Sequence, residues 1–438
     1  MYPPGPKSRL PAGLLFQFRR DPMAFLTSLA AYGPIARFTI GPQAVYFLND
    51  PALVREALVL QHRSFEKGGA LKRAKVMLGE GLLTAEGDAH LAQRKLVQPA
   101  FHKARIAAFG EVMVGYAEAM SARWQPGQTL DVWSEMMHLT LAIVGKTLFD
   151  ADVEGEAPEI EEAINALLAV FNLITLPFTE LLLKIPTPTN LRARAAMARL
   201  DKLIYKLIED RRGSDKGDLL GMLLGADDRQ VRDEAMTLFL AGHETTANAL
   251  TWAWYLLGQN PDAEAALHAE LDAVLGDRAP TFEDMPRLVV TERILSEAMR
   301  LYPPGWTIGR RALVDVTIGE FVIPKGALVL MSQHVMHRRA DFYPEPEKFD
   351  LARWTPEAKA ERPQFSYFPF GGGPRGCVGE PFAWMEGVLV LATLARHWKL
   401  RLVPGHQVVP QPLVTLRPRH GVLVTAEPRS LAPHGGGG

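Results

Sequence analysis

Apolar residues recur at three- and four-residue spacing from about residue 50 to about residue 300, with breaks at clusters such as Lys184-Ile185-Pro186-Thr187-Pro188. That spacing predicts helices that each bury one face. On either side the period shortens. Ile35-Ala36-Arg37-Phe38-Thr39-Ile40 and Ala44-Val45-Tyr46-Phe47-Leu48 flank Gly41-Pro42-Gln43 and predict a hairpin. After Pro303-Pro304, β-branched runs at Val314 to Ile318 and Phe321 to Ile323, with Pro324-Lys325-Gly326 as a turn, predict short strands, and more are expected at 398–403 and 413–425. The expected architecture is mainly α with small β-sheets, a single unit spanning 1–438, β-rich at about 30–60 and about 310–335.

One predicted helix, Ala235 to Leu257, is apolar almost all round, yet its middle reads Ala241-Gly242-His243-Glu244-Thr245-Thr246. A buried acid beside two hydroxyls is costly unless it is partnered or used. A membrane span with a polar centre and a core helix with satisfied polar groups are the alternatives to a functional helix.

The chain has one cysteine, Cys377, inside Phe370-Gly371-Gly372-Gly373-Pro374-Arg375-Gly376-Cys377-Val378-Gly379. Glycines permit positive φ and let backbone N–H groups converge on one sulfur. Pro381 marks a helix start just beyond, which brings the positive end of a helix dipole near the thiol. Both effects are expected to lower the thiol pKa. A lone buried cysteine is otherwise a small hydrophobe, but such a residue does not need three consecutive glycines and an arginine two positions away. An axial ligand to a flat anionic macrocycle needs both.

Composition narrows the setting. With 48 basic and 49 acidic residues the net charge is −1, so no electrostatic case exists for nucleic acid. A single cysteine forms no intramolecular disulfide, as suits a reducing compartment. Arg9, Arg19, Arg20 and Asp21 interrupt the early apolar pieces, and neither a secretory signal nor a membrane anchor is read there. The expectation is a cytoplasmic protein.

Phe370-x-x-Gly373-x-Arg375-x-Cys377-x-Gly379 is similar at every fixed position to the haem-ligand loop of the cytochrome P-450 monooxygenases. The Ala241-Gly242-x-Glu244-Thr245-Thr246 stretch resembles that family's acid-threonine motif on a long helix over the haem. The resemblance implies heme b, iron protoporphyrin IX, ligated by Cys377, with Thr245 as the oxygen-side hydroxyl and Glu244 as the acid that delivers protons. Phe370, Gly371 and Gly379 would shape the cofactor loop.

Three further segments fit the same family. Glu297 and Arg300 stand at i and i+3, before Leu301-Tyr302-Pro303-Pro304, and with Arg353 resemble the family's Glu-Arg-Arg network; Leu351 departs from the proline usual there, so a local backbone difference is expected. A comparable pair, Glu209 with Arg212, lies in a charged region and reads as a solvated salt bridge. For the haem propionates, Arg375 is joined by His90 and Arg94, at i and i+4, and by Arg310 or its neighbour Arg311, with Arg310 favoured by counting back from the turn at 324–326.

The apolar stretch 167–178 would lie in the roof above the haem and, if it lines a channel, implies a large hydrophobic substrate: a carotenoid, terpenoid, steroid or fatty acid. Leu301-Tyr302-Pro303-Pro304-Gly305-Trp306 before Arg310-Arg311 looks like a bacterial carotenoid-ring hydroxylase branch. The implied reaction consumes dioxygen, with electrons from a separate ferredoxin or flavodoxin and an NAD(P)H-dependent reductase; a monomer is expected. A peroxide-using hydroxylase and a haem-based gas or redox sensor are the rival readings, and the Glu244-Thr245 pair counts against the former.

Overall fold

The computed structural model describes residues 2–8, 13–152, 185–212 and 219–429, with isolated positions between 155 and 170. Of the expected roof segment, Leu167 and Val170 are described and buried, while 168–169 and 171–178 lie outside the described residues.

The central helix, Asp228–Gln259, organises everything else. Asp227 caps it by accepting from Arg229 N and Gln230 N, and Pro261 after Asn260 stops it, as the sequence predicts. Its apolar sides pack on the helices Val132–Phe149, Val289–Leu301 and Glu380–His397. Trp252 is fully buried, stacks on Tyr302 at 4.2 Å and donates to the Leu416 carbonyl at 2.9 Å.

The two β-rich stretches prove to be one sheet. Ile35–Ile40 and Gln43–Leu48 form the predicted antiparallel hairpin, with Ile35 opposite Leu48. Leu328–Met331 runs parallel to the second of these strands, Ile308–Ala312 pairs with Leu328–Met331, and Phe65–Lys67 closes the far edge. The predicted strand at 314–318 shortens to Val316–Ile318, because the Asp315 carboxylate accepts the Lys325 N–H at 2.7 Å and shapes a corner there. The span 413–425 divides into Leu416–Pro418 and Leu423–Pro428, around Gly421 at φ +68°. Arg212 pairs with Asp228 rather than with Glu209 as the sequence suggests, since the chain leaves helical geometry at Arg212.

Among the described residues, no helix is long and apolar enough to cross a membrane, so the polar-centred helix is not a span.

Neutral histidines are part of the packing. His268, buried in the helix Pro261–Val274, is pushed down from 6.5 to about 4 by burial, with Arg429 adding to the effect. A depressed base favours the folded state above its unfolded pKa, and that stability is lost as pH falls through 6.5 toward 4. His268→Gln should therefore gain stability relative to the parent by up to about 3 kcal/mol over that interval. Denaturant unfolding at matched pH values measures it; a pH-independent difference would rule the idea out.

Candidate active site

The cysteine loop is held from inside. Gly371 and Gly373 lie at φ +74° and +68°, and a Cβ on Gly373 would meet the Leu58 carbonyl oxygen at 2.1 Å. Gly371 N donates to Phe368 O at 2.9 Å and Cys377 N to Phe370 O at 2.9 Å. These contacts fold the loop so that Gly379 caps the helix Glu380–His397, with Pro381 in its first turn. Burial pushes the Cys377 thiol up, while N–H groups of Gly379 and Glu380 pull it down. The expected lowering is thus outweighed: the loop and helix act as predicted, but the apolar surroundings penalise the thiolate more. Cys377 is accessible only in the sense that it borders concave space.

That space is a cavity of about 430 Å³. Its walls include Cys377, Phe370, Gly371 and Gly379 from the loop, and Ala241, Gly242, Thr245 and Thr246 from the central helix. Two motifs separated by more than a hundred positions therefore border one void. The Thr245 hydroxyl donates to the Ala241 carbonyl at 2.8 Å, and small residues at 241 and 242 keep the helix surface low on that side.

Glu244 is placed differently from its neighbours. It is buried, is absent from the cavity wall, and accepts from Thr415 Oγ1 at 2.6 Å. Thr415 Oγ1 in turn accepts from Asn248 Nδ2 at 3.1 Å. Glu244 turns away from the void because its carboxylate is taken by Thr415, 171 positions along the chain, which packs against that side of the helix.

One end of the cavity is cationic. Arg310, Arg375 and Lys67 line it. Alternation along the strand Ile308–Ala312 decides between the two adjacent arginines: Arg310 faces the cavity, and Arg311 reaches Gln43 Oε1 at 3.3 Å. Lys67 gives its ammonium to the Leu82 and Ala85 carbonyls at 2.7 and 2.8 Å and is pushed down to about 8, chiefly by burial. Burial also lowers Arg310 to about 10, with Arg375 contributing.

His90 lies buried behind this cluster, pushed down to about 4 by burial and then by Lys67, Arg375, Arg94 and Arg310. Arg94, on the same helix Gly87–Val97, turns instead to the ligand loop and donates to Gly376 O at 2.7 Å. His90 and Arg94 do not themselves line the cavity. Lys67 and its neighbour Glu86, which pairs with Arg375 at 2.6 Å, were not singled out by sequence. The available signal was a lysine in the inward register of Phe65–Lys67, where Phe65 is also buried.

The Glu-Arg-Arg network assembles behind the loop. Arg300 Nε and Nη2 each meet the Glu297 carboxylate at 2.8 Å, with both side chains fully buried. Trp354 Nε1 and Asp350 N donate to the same carboxylate at 2.9 and 3.0 Å, and Arg353 Nε stands 3.4 Å from it. Leu351, in the position of the expected proline, opens a short 3-10 turn, Leu351–Trp354, capped by Asp350. Arg300 Nη1 donates to the His337 carbonyl at 3.0 Å, and His337 Nε2 accepts from Phe368 N at 3.0 Å. The network thus reaches the cysteine loop through His337.

The cavity fits a flat dianionic macrocycle. Three cations converge at one end with Glu86 between them, and the buried Arg375 Nη1 has no hydrogen-bond partner. Two propionates would answer that excess, while the remaining wall is mostly apolar and ends at one sulfur.

Comparison with known proteins agrees. A cytochrome P450 family model matches residues 3–431. The chain is 42% identical to cyclooctatin synthase of Streptomyces melanosporofaciens, covering 92% of this chain and 91% of that protein. It is 34% identical to pentalenene oxygenase of Streptomyces avermitilis, over 92% of each. Carotene epsilon-monooxygenase of Arabidopsis thaliana is 29% identical over 91% of this chain and 80% of its own length. A crystal structure of a mutant cytochrome P450DA heme domain superposes with a TM-score of 0.87 at 26% identity, covering 98% of each chain. A void walled by a lone cysteine on one side and a long helix on the other, in a chain matched almost end to end by that family model, shows that this protein belongs to the cytochrome P450 family and is a haem-thiolate monooxygenase.

Proposed function

We propose that the enzyme inserts one atom of dioxygen into a C–H bond of a cyclic terpenoid, using electrons from a separate ferredoxin or flavodoxin with its NAD(P)H-dependent reductase. The observation that carries the reading is the segregation of the cavity wall. Lys67, Arg310 and Arg375 gather at one end, and much of the rest is apolar, with Leu83, Leu148, Leu238, Phe101 and Phe382 among its residues. Once propionates engage the cations, no paired cation among the described residues of that wall is left to grip a substrate carboxylate, which disfavours fatty acids. Terpenoid over carotenoid is supported by the order of relatives: those named for cyclooctatin and pentalenene are 42% and 34% identical, the carotene monooxygenase 29%.

When bound, the haem supplies reductive activation of dioxygen. The chain supplies the rest. Cys377 would hold the iron, and Lys67, Arg310 and Arg375 would hold the propionates, with His90 packed behind them and Arg94 steadying the loop. Ala241 and Gly242 leave space on the oxygen side. The Thr245 hydroxyl, which donates to the Ala241 carbonyl, would offer a hydrogen bond into the cavity by rotating away from it. Glu244 can act as proton donor there only by leaving Thr415. A second concavity, about 790 Å³, reaches Cys377 from the outer side past Arg94, His102 and Val378 and offers a face for the electron donor.

Titration of the holoenzyme with cyclic terpene hydrocarbons, β-carotene, a steroid and palmitate, followed by product analysis, tests this. Cyclic terpenes should drive the low-to-high-spin shift and yield a hydroxylated product only when NAD(P)H and the redox chain are present. A shift with palmitate alone, product from hydrogen peroxide without reductant, or binding without turnover of any compound would overturn it.

A further inference from the structure

The cavity wall carries a polar group that neither the cationic cluster nor the helix motif uses. Gln333, just past the strand Leu328–Met331, forms part of that wall although it is only 1% exposed. The buried Oε1 of its carboxamide has no hydrogen-bond partner. An unpaired amide oxygen is costly in an apolar setting, so a group of this kind is kept where a ligand completes it. Gly305 lies beside it on the same wall, and a Cβ added there would meet Gln333 Nε2 at 4.0 Å and Pro369 O at 3.7 Å. A longer side chain at 305 would press on the carboxamide; glycine leaves room for part of a ligand.

The hydroxyls on the wall are engaged within the protein. Thr245 and Thr246 donate to Ala241 O and Gly242 O at 2.8 and 3.3 Å, and Thr307 Oγ1 donates to Met331 O at 3.2 Å. The cations lie elsewhere along the sheet. Arg310 pairs in register with Val329 and Lys67, whereas Gln333 follows the other end of that strand, where Ser332 Oγ and His334 N donate to Trp306 O at 2.9 and 3.3 Å. A carboxamide offers both a donor and an acceptor, and turning it about its last bond exchanges the two. An alcohol also gives one hydrogen bond and takes another, while a hydrocarbon does neither.

We propose that Gln333 binds a hydroxyl of the substrate, so that the cyclic terpenoid reaches this enzyme already carrying an oxygen. The reaction that supplies it is then a cyclisation ended by water or an earlier C–H hydroxylation, and this enzyme adds a further oxygen. Gln333 orients the molecule and takes no part in bond making. The inference rests on the terpenoid reading and narrows it.

Low-to-high-spin titration of the holoenzyme with matched pairs tests it: limonene with carveol, cedrene with cedrol, and abietadiene with abietadienol. In the parent, the alcohol of at least one pair should bind roughly tenfold more tightly than its hydrocarbon, as one net hydrogen bond allows. Gln333→Met keeps the length of the side chain and removes its hydrogen bonding, so the alcohol preference should disappear while hydrocarbon affinity is unchanged. Haem content and thermal midpoint should hold or rise, because Oε1 has no partner in the protein to lose. If Gln333→Met fails to fold, Gln333→Leu replaces it. Equal binding of alcohol and hydrocarbon in every pair, or an alcohol preference that survives in the variant, overturns the proposal. So does haem lost from a folded variant, which would give the carboxamide to a propionate. Binding by none of these compounds strikes the terpenoid reading itself, and failure of the parent to take up haem strikes the monooxygenase assignment.

Discussion

Cys377→Ala yields a protein without the strongly red-shifted ferrous-carbon monoxide band and without monooxygenase turnover, while Arg375, Lys67 and Arg310 remain to retain part of the haem. The loss should be complete rather than graded, because the chain contains no second cysteine and the thiolate's electron donation is what favours O–O cleavage. The loop itself should survive the change. Its shape rests on Gly371 and Gly373, on the Cys377 N–H to Phe370 O bond and on Arg94 to Gly376 O, all of which use backbone or other side chains. The spectrum and haem content of purified variant decide the matter. A histidine-type band in the unmutated protein, or an unaltered band in the variant, would sink the ligand assignment.

Glu297→Ala should prevent the enzyme from folding around haem at all. The carboxylate receives Arg300 through two bonds at 2.8 Å, together with Trp354, Asp350 N and Arg353. Removing it leaves the fully buried Arg300 guanidinium without its counterion, and stranding one partner of a buried pair costs about 3–5 kcal/mol. That is a large share of the ~5–15 kcal/mol by which proteins are stable. The damage also propagates: Arg300 holds the His337 carbonyl and His337 Nε2 accepts the Phe368 N–H, two residues before the cysteine loop begins. Arg353→Ala should be milder, since Arg353 is the more peripheral member at 9% exposure and 3.4 Å from Glu297. Thermal midpoint and haem per chain measure the order. Equal haem loading in Glu297→Ala and in the parent would refute a role for the network in holding the loop.

The residues that were easy to read share a property. Cys377, Gly373, Arg375 and Gly379 are consecutive enough that local backbone chemistry explains them, and Glu297 with Arg300 sit one turn apart on a helix whose register fixes their pairing. His90 and Arg94 show the limit of that logic. Spacing placed them on one helical face, and the fold sets their distinct surroundings: Arg94 Nη1 donates to the Gly376 carbonyl, and His90 is buried close to Lys67, Arg375 and Arg310. Glu244 shows it again, since a residue 171 positions away, Thr415, takes its carboxylate.

By itself, then, the sequence determined the hairpin, the central helix with its stop at Pro261 and the glycine-shaped cysteine loop, because each depends on neighbours within a few positions and on φ or helical period, and the resemblance of that loop to a known family implied the haem-thiolate chemistry. The tertiary structure alone decided that Arg310 rather than Arg311 meets the cavity, that Lys67 joins the cations, that Glu244 turns to Thr415, and that the Gln333 carboxamide oxygen stands unpaired at the cavity wall. Each of those outcomes depends on which distant segment is packed alongside, and burial, which sets both the charge and the partner of an ionisable group, is a property of the assembled fold rather than of the local chain.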